Sequence, residues 1–292
     1  MKTFITRTIS ALFFVAIMLG GILWNEASFF LLFFLVNLFA LLEYFKLVRQ
    51  IDPSYHEISQ WHRYGLVVAS CAMMMAFTGN SFGTSGGITL GFLGTCMTVI
   101  FLCVLPMGEI LMGKNFSLKT LGYSALGLLY VTVPFGLLVN LRLSYNMQAV
   151  AIDGAHIGYL IPLLLIIFIW INDTMAYIVG SLIGRTPFFP SISPKKTTEG
   201  SVGGMILAVA AAGVFGHFWG YQWLAFQHWI VLSCIAAVFG TAGDLLESKL
   251  KRMAGVKDSG KIMPGHGGFL DRFDSLILAT PFAWFYIYMF LL

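Results

Sequence analysis

The 292-residue chain is 58% hydrophobic and only 10% charged, with a mean hydropathy of +0.85 and a net charge of +4. Soluble domains are about half apolar and about a quarter charged, so this composition excludes a soluble protein and implies one embedded in a membrane. The small positive balance follows from membrane topology and does not point to nucleic acid.

A helix needs roughly 20 apolar residues to cross the hydrocarbon core. Nine such runs follow in chain order, near 8–25, 28–45, 64–80, 88–108, 118–140, 156–184, 201–218, 223–246 and 275–292. The expected fold is therefore all-α, a polytopic bundle of about nine transmembrane helices. The first run follows Lys2 and Arg7 like a signal peptide, but no small-residue cleavage site follows it, so it reads as a retained span. Lys and Arg accumulate in short cytoplasmic loops. With the N-terminus cytoplasmic and the C-terminus outside, 16 of the 17 basic residues fall inside and only Arg142 outside. Cys71, Cys96, Cys103 and Cys234 lie within apolar runs without metal-ligand spacing and read as core residues. Trp219, Trp223 and Trp229 flank a short outer turn and suit an interfacial aromatic belt.

Residues 1–155 read as an N-terminal, lipid-facing scaffold of about five spans; 156–292 read as a region of about four spans that carries the chemistry. Polar residues in the second part gather in three places, all expected at the cytoplasmic face. The first is "WINDTMAYIVGSLIGR", 170–185, in the sixth run. An ionisable group within a span costs about 2.5–3.5 kcal/mol on insertion scales, so Asp173, beside Asn172, is a functional candidate; the bland reading is an interfacial or helix-pairing acid. Asn172, Ala176, Gly180 and Gly184 recur at every fourth position and make a smooth stripe for a neighbouring helix.

The second place is "SISPKKTTEGS", 191–201, where Lys195 and Lys196 stand among the hydroxyls of Ser193, Thr197 and Thr198. That set suits a phosphate, although any cytoplasmic loop collects lysines. The third begins with "GTAGDLLESKLKR", 240–252, where Asp244, Glu247, Ser248 and Lys251 share one helical face. It continues into "KDSGKIMPGHGGFLDRFDS", 257–275. Residues 244–274 hold 11 of the chain's 30 charged side chains. Orientation would require only the bases, not the acids.

Hard cations such as Mg²⁺ use one or two carboxylates and complete their shell with substrate phosphate and water. Asp244 and Asp271, ringed by Lys251, Arg252, Lys257 and Arg272, describe such a site if the loop between them folds back; a salt-bridge network would look the same. Gly265, Gly267 and Gly268 can turn successive N–H groups toward an anion, with His266 as a donor or a turn-former. "GVKDSGK", 255–261, matches part of a P-loop, but Ile262 replaces its Ser/Thr and no strand precedes it.

The stretch from Ser248 to Asp274, "SKLKRMAGVKDSGKIMPGHGGFLDRFD", resembles the signature of the CTP:phosphatidate cytidylyltransferases, the CDP-diacylglycerol synthases. Ser248, Lys251, Arg252, Lys257, Asp258, Gly260, Pro264, His266, Gly267, Gly268, Asp271, Arg272 and Asp274 fall on its fixed positions, while Met263 replaces the usual Leu, Ile or Phe. "NDTMAYIVG", "SPKKTTEG" and "GDLLES" are also similar to the family, so the likeness covers roughly 170–275. The resemblance implies an integral membrane nucleotidyltransferase that joins phosphatidate to CTP, releasing pyrophosphate. It implies Mg²⁺ on Asp244 and Asp271, with Asp274 as a third candidate, K⁺ as a second cation, and a homodimer. Asp244, Asp271, Lys251 and Arg272 are then the expected catalytic residues. Asn172, Asp173, Ser193, Lys195, Lys196, Thr197, Ser248, Arg252, Lys257, His266, Gly267 and Gly268 are the expected substrate-binding residues. The expected location is the inner, cytoplasmic membrane with the site facing the cytosol, where CTP is. A relative acting on another lipid phosphate or a prenol-type acceptor would carry the same site. A transporter with Asp173 and Asp244 at the midplane would show paired repeats, and no strong repeat is visible.

Overall fold

Each of the nine apolar runs falls on a helical segment in the computed structural model of the protein, which describes residues 2–83, 87–113, 117–147, 158–260 and 267–291. The helices are α1 (Lys2–Leu23), α2 (Glu26–Ile51), α3 (Gln60–Ala76), α4 (Leu90–Met112), α5 (Leu118–Gly127), α6 (Val133–Met147), α7 (Leu160–Ile183), α8 (Thr198–Phe218), α9 (Phe226–Met253) and α10 (Leu270–Phe290). A π-helical turn, Leu128–Thr132, joins α5 to α6 into one rod. Among the described residues the β content is two isolated bridges, Gly83 to Thr89 and Pro187 to Thr197. Among the described residues seven segments are long and apolar enough to span a bilayer; α3 has 17 residues and the described apolar part of α1 is Ala11–Leu23.

Polar residues punctuate the apolar runs as helix caps. Asn25 and Ser28 form a reciprocal capping box at α2, while the side chains of Ser59, Thr89, Ser117 and Thr197 accept backbone N–H groups at α3, α4, α5 and α8. Helices also outrun the apolar segments. α9 continues through the charged residues to Met253, and α10 begins at Leu270 rather than near 275, so Asp271, Arg272 and Asp274 are helical. The charged turns extend the rods beyond the stretch that composition alone marks as apolar. Gly255, with φ 70°, follows the end of α9 in the left-handed region that glycine tolerates.

The boundary expected at 155/156 lies outside the described residues. The chain clusters into two units, one of Met1–Leu143 and Met253–Arg272, the other of Ser144–Arg252 and Phe273–Leu292. In the first unit α2 buries Phe29, Phe33, Ala40, Leu41, Tyr44 and Leu47 on one side and exposes Leu31, Leu35 and Leu42 on another. Its polar side chains find buried partners: Asn37 donates to Ser70 at 2.8 Å, and Ser70 meets Thr132 at 2.9 Å. A second buried network joins His62 to Ser124 (3.0 Å), Tyr55 to Ser124 (2.9 Å) and Ser59 to Glu109 (2.5 Å). In the second unit α7 and α8 pack closely along the small-residue stripe anticipated from the sequence. A Cβ on Gly204 would stand 2.7 Å from the Ala176 Cβ and 2.8 Å from the Asn172 carbonyl, and one on Gly180 would stand 3.0 Å from Thr197 Oγ1. Such approach is available only to small residues.

Candidate active site

The second unit gathers charge from three elements. The segment between α7 and α8 folds back on itself: Phe188 N–H donates to the Lys196 carbonyl at 2.8 Å, and Thr198 N–H to the Thr186 carbonyl at 2.9 Å. Glu199 ties its base by accepting from the N–H of Arg185 and from the N–H and hydroxyl of Thr186. This turn delivers Lys196, whose Nζ pairs with Asp244 Oδ2 of α9. Asp173 on α7 interacts with the charges of both Lys196 and Asp244. Asn172 is buried and donates to Thr241 on α9 at 3.3 Å and to Asp173 at 3.4 Å.

One turn further along α9, Glu247 is fully buried and pairs with Lys251 at 2.5 Å, the i, i+4 contact of the polar column. Ser248 Oγ lies 3.5 Å from Asp244 Oδ1. Asp274 on α10 is 7% exposed, accepts from the Ser275 N–H at 2.6 Å, and feels the charges of Asp244, Glu247 and Lys251. Gly243 lets α10 approach, since a Cβ there would overlap the Asp274 carbonyl. Acids and bases alternate here within a few ångströms, so an incoming anion meets cations already held in place and a cation meets oxygen ligands.

In the first unit, Asp271 Oδ2 accepts from Gly268 N–H at 2.7 Å and Ser259 N–H at 2.9 Å, with Ser259 Oγ at 3.0 Å. Gly267 makes this possible with φ 82°; any side chain there would be strained and would stand 2.7 Å from Asp271 Oδ2. The Gly268 N–H is thus aimed at a carboxylate of the protein itself.

The structure brings Asn172, Asp173, Lys196, Asp244, Ser248, Lys251 and Asp274 into the cluster of the second unit. Ser193 and Thr197 serve the fold: the Ser193 carbonyl accepts from Lys196 N–H at 3.2 Å, and Thr197 Oγ1 accepts from Gly200 N–H at 3.2 Å. Lys195 is exposed; Arg252 is exposed too and donates from Nε to the Ile192 carbonyl at 3.3 Å. In the first unit Gly267, Gly268 and Asp271 form one turn, while Lys257 and Arg272 are exposed. His266 lies outside the described residues. Glu43 and Ser259 escaped the sequence reading. The available signal for Glu43 was an acid inside the 28–45 run, where an ionisable residue is expensive.

Among the described residues no three His, Cys, Asp or Glu side chains form a ready-made metal cage. The donors present are carboxylate oxygens, which suit Mg²⁺, a cation that needs few of them and retains water or phosphate in its shell.

A sequence profile of the cytidylyltransferase family matches residues 5–290. A phosphatidate cytidylyltransferase of Bacillus subtilis (strain 168) is 34% identical over 181 residues, 62% of this chain and 63% of its own length. One from Staphylococcus saprophyticus is 36% identical over 185 residues, 63% of this chain and 66% of its own. One from Staphylococcus aureus (strain COL) is 34% identical over 187 residues, with the same two shares. The chain therefore spans just under two thirds of the length of the curated relatives it matches.

Proposed function

Because this chain belongs to the cytidylyltransferase family, we propose that it transfers CMP from CTP to phosphatidate, forming CDP-diacylglycerol and pyrophosphate. The observation that carries the proposal is the pairing of Lys196 with Asp244 inside a cluster that also holds Asp173, Glu247, Lys251 and Asp274. A membrane-embedded group of interleaved acids and bases suits a reaction between two phosphates.

The phosphate of phosphatidate is already anionic at neutral pH, so creating the nucleophile asks little of the protein. Repulsion is the obstacle. A phosphate oxygen of the lipid forms a bond to the α-phosphorus of CTP while the bond to the β-phosphate bridging oxygen breaks, and pyrophosphate leaves with the electron pair. Mg²⁺, when bound, offsets part of the negative charge on the phosphates; Asp244 and Asp271 are the carboxylates we assign to it, with Asp274 as a third candidate and K⁺ as a second cation. Lys196, already positioned at Asp244, offsets charge on an incoming phosphate, and Lys251, steadied by Glu247, does so on a second. The exposed Lys195 and Arg252 attract both anions toward the cluster, and Lys257 and Arg272 are further bases that we assign to the substrate phosphates. His266, Ser248 and Asn172 complete the polar contacts of the proposal. Orientation and electrostatics thus supply most of the rate.

We also place the protein in the inner membrane with this site toward the cytosol, as a homodimer. The asymmetry of basic residues supports the orientation, and the family resemblance supports the dimer. The decisive experiment measures CMP transfer from labelled CTP to phosphatidate, with other lipid phosphates and a prenol acceptor as comparisons, by purified protein with and without Mg²⁺. Wild type is expected to act on phosphatidate only with Mg²⁺, and Asp244→Asn and Asp271→Asn each to lose at least about 100-fold. Full activity in both variants would remove the metal assignment; activity on another acceptor alone would replace the substrate.

A further inference from the structure

Glu43 stands in the middle of α2, 5% exposed, among apolar neighbours. Burying a carboxylate in such surroundings is costly unless hydrogen bonds offset it, and the donors that meet its Oε2 come from the far end of the chain. Glu43 Oε2 lies 2.8 Å from Ser259 Oγ and accepts the Leu270 N–H at 2.9 Å, across 216 and 227 positions of sequence. Ser259 is the same residue that holds Asp271 through its N–H at 2.9 Å, and its Oγ, 3.0 Å from Asp271 Oδ2, has a single proton to give to one carboxylate or the other. Leu270 is the first residue of α10 and the direct neighbour of Asp271, so the carboxylate also caps the helix that carries it.

Two further features show that this segment is shaped around Glu43. One turn earlier on α2, Phe39 stacks on Phe269 with centroids 4.9 Å apart and planes at 21°. A Cβ added at either Gly260 or Gly268 would overlap the Glu43 carboxylate. Both glycines belong to the signature stretch, and the space they leave is filled by an acid from a helix outside it.

We infer that Glu43 is a positioning residue for Asp271. Through the Ser259 hydroxyl and the first N–H of α10 it sets where the Asp271 carboxylate stands, so α2 takes part in the reaction without touching substrate. This rests on the assignment of Asp271 to Mg²⁺ in the proposed function.

The test uses the purified full chain in detergent, with Glu43→Ala, Glu43→Gln, Ser259→Ala and Asp271→Asn. Binding of Mn²⁺, standing in for Mg²⁺, is followed by loss of the free-ion EPR signal, alongside CMP transfer as a function of Mg²⁺ and amide hydrogen exchange. Glu43→Ala is expected to raise the Mn²⁺ midpoint by about tenfold to 100-fold, to lower kcat, and to leave the KM for CTP near the wild-type value. Glu43→Gln, which keeps an acceptor at the same place, is expected to stay close to wild type. Exchange should rise at 253–260 and 267–272 while α3 and α4 keep wild-type protection.

A merely structural role predicts the opposite pattern: faster exchange throughout the first unit, a lower melting point, and an unmoved Mn²⁺ midpoint. That pattern would overturn the inference, as would equal losses in the Ala and Gln variants. If Glu43→Ala fails to fold, Ser259→Ala decides alone, since it leaves α2 intact; an unchanged Mn²⁺ midpoint there overturns the inference. Wild type that binds Mn²⁺ through Asp271 yet transfers no CMP refutes the proposed function and spares the positioning role. Wild type that transfers CMP with a midpoint indifferent to Glu43→Ala and Ser259→Ala refutes the positioning role alone.

Discussion

Asp271 and Glu43 in the first unit and Asp244 and Glu247 in the second are held by different chemistry. In the first, Asp271 and Glu43 are met by neutral donors: the N–H groups of Ser259, Gly268 and Leu270 and one serine hydroxyl. In the second, Asp244 and Glu247 are met by the ammonium groups of Lys196 and Lys251. Backbone donors are fixed by the chain path and dictate the direction of a carboxylate. A lysine on a flexible stem is a movable point charge that can exchange one anion for another. The first arrangement suits a ligand that must stay in place, the second a site where substrate phosphates arrive and leave.

That contrast can be broken at its buried lysine pair. Glu247→Ala removes the carboxylate 2.5 Å from Lys251 in a fully buried position, and loss of one partner of a buried pair costs about 3–5 kcal/mol. A large fall in the thermal midpoint in detergent is expected, together with loss of CMP transfer. A smaller stability effect is expected at Lys196, whose pair with Asp244 has both side chains 28% exposed. Lys196→Met should change stability by only about 0–1 kcal/mol while lowering CMP transfer by about 100-fold. If stability fell as far as in Glu247→Ala, Lys196 would be structural rather than a phosphate contact.

The smallest effect sharpens the comparison inside the first unit, where Asp52 is lysine-held. It precedes the turn Pro53–Glu57, pairs with Lys119 at 2.6 Å and accepts from the Ser54 hydroxyl at 2.7 Å. The hydrogen bond from Lys119, then that from Ser54, pulls its carboxyl from the ordinary 3.8 down to about 2. A depressed folded-state value means stabilisation that is present above the ordinary value and lost as pH falls from about 4 to about 2. Asp52→Asn should remove that acid step from a pH series of unfolding midpoints. High salt should shrink it, because Lys119 is 66% exposed.

Much of the second unit was readable beforehand because its features are local in sequence. The stripe Asn172, Ala176, Gly180 and Gly184 follows helical spacing, and α8 packs along it. The polar column of Asp244, Glu247, Ser248 and Lys251 obeys the same periodicity, with its i, i+4 pair formed. The first unit was harder. α2 is apolar around almost its whole circumference, so no periodicity separates the residues facing lipid from Phe29, Phe33 and Leu41, which face protein. Glu43 went unremarked in the sequence although it is an acid inside an apolar run, and nothing near it in sequence names Ser259 or Leu270 as its donors. The neutral hold on Asp271 was equally hidden, because glycines written as "GHGG" announce backbone freedom without saying which acceptor the N–H groups will meet.

From composition and spacing alone came membrane residence, the run of apolar helices, and the acids and bases that resemble one family's signature. Those properties are legible because the hydrocarbon core demands long apolar segments and taxes every charge placed in or beside them. Which donor satisfies each carboxylate was decided only by the fold. A hydrogen bond depends on a few tenths of an ångström between groups that can be more than 200 positions apart, and only packing brings such groups to that distance.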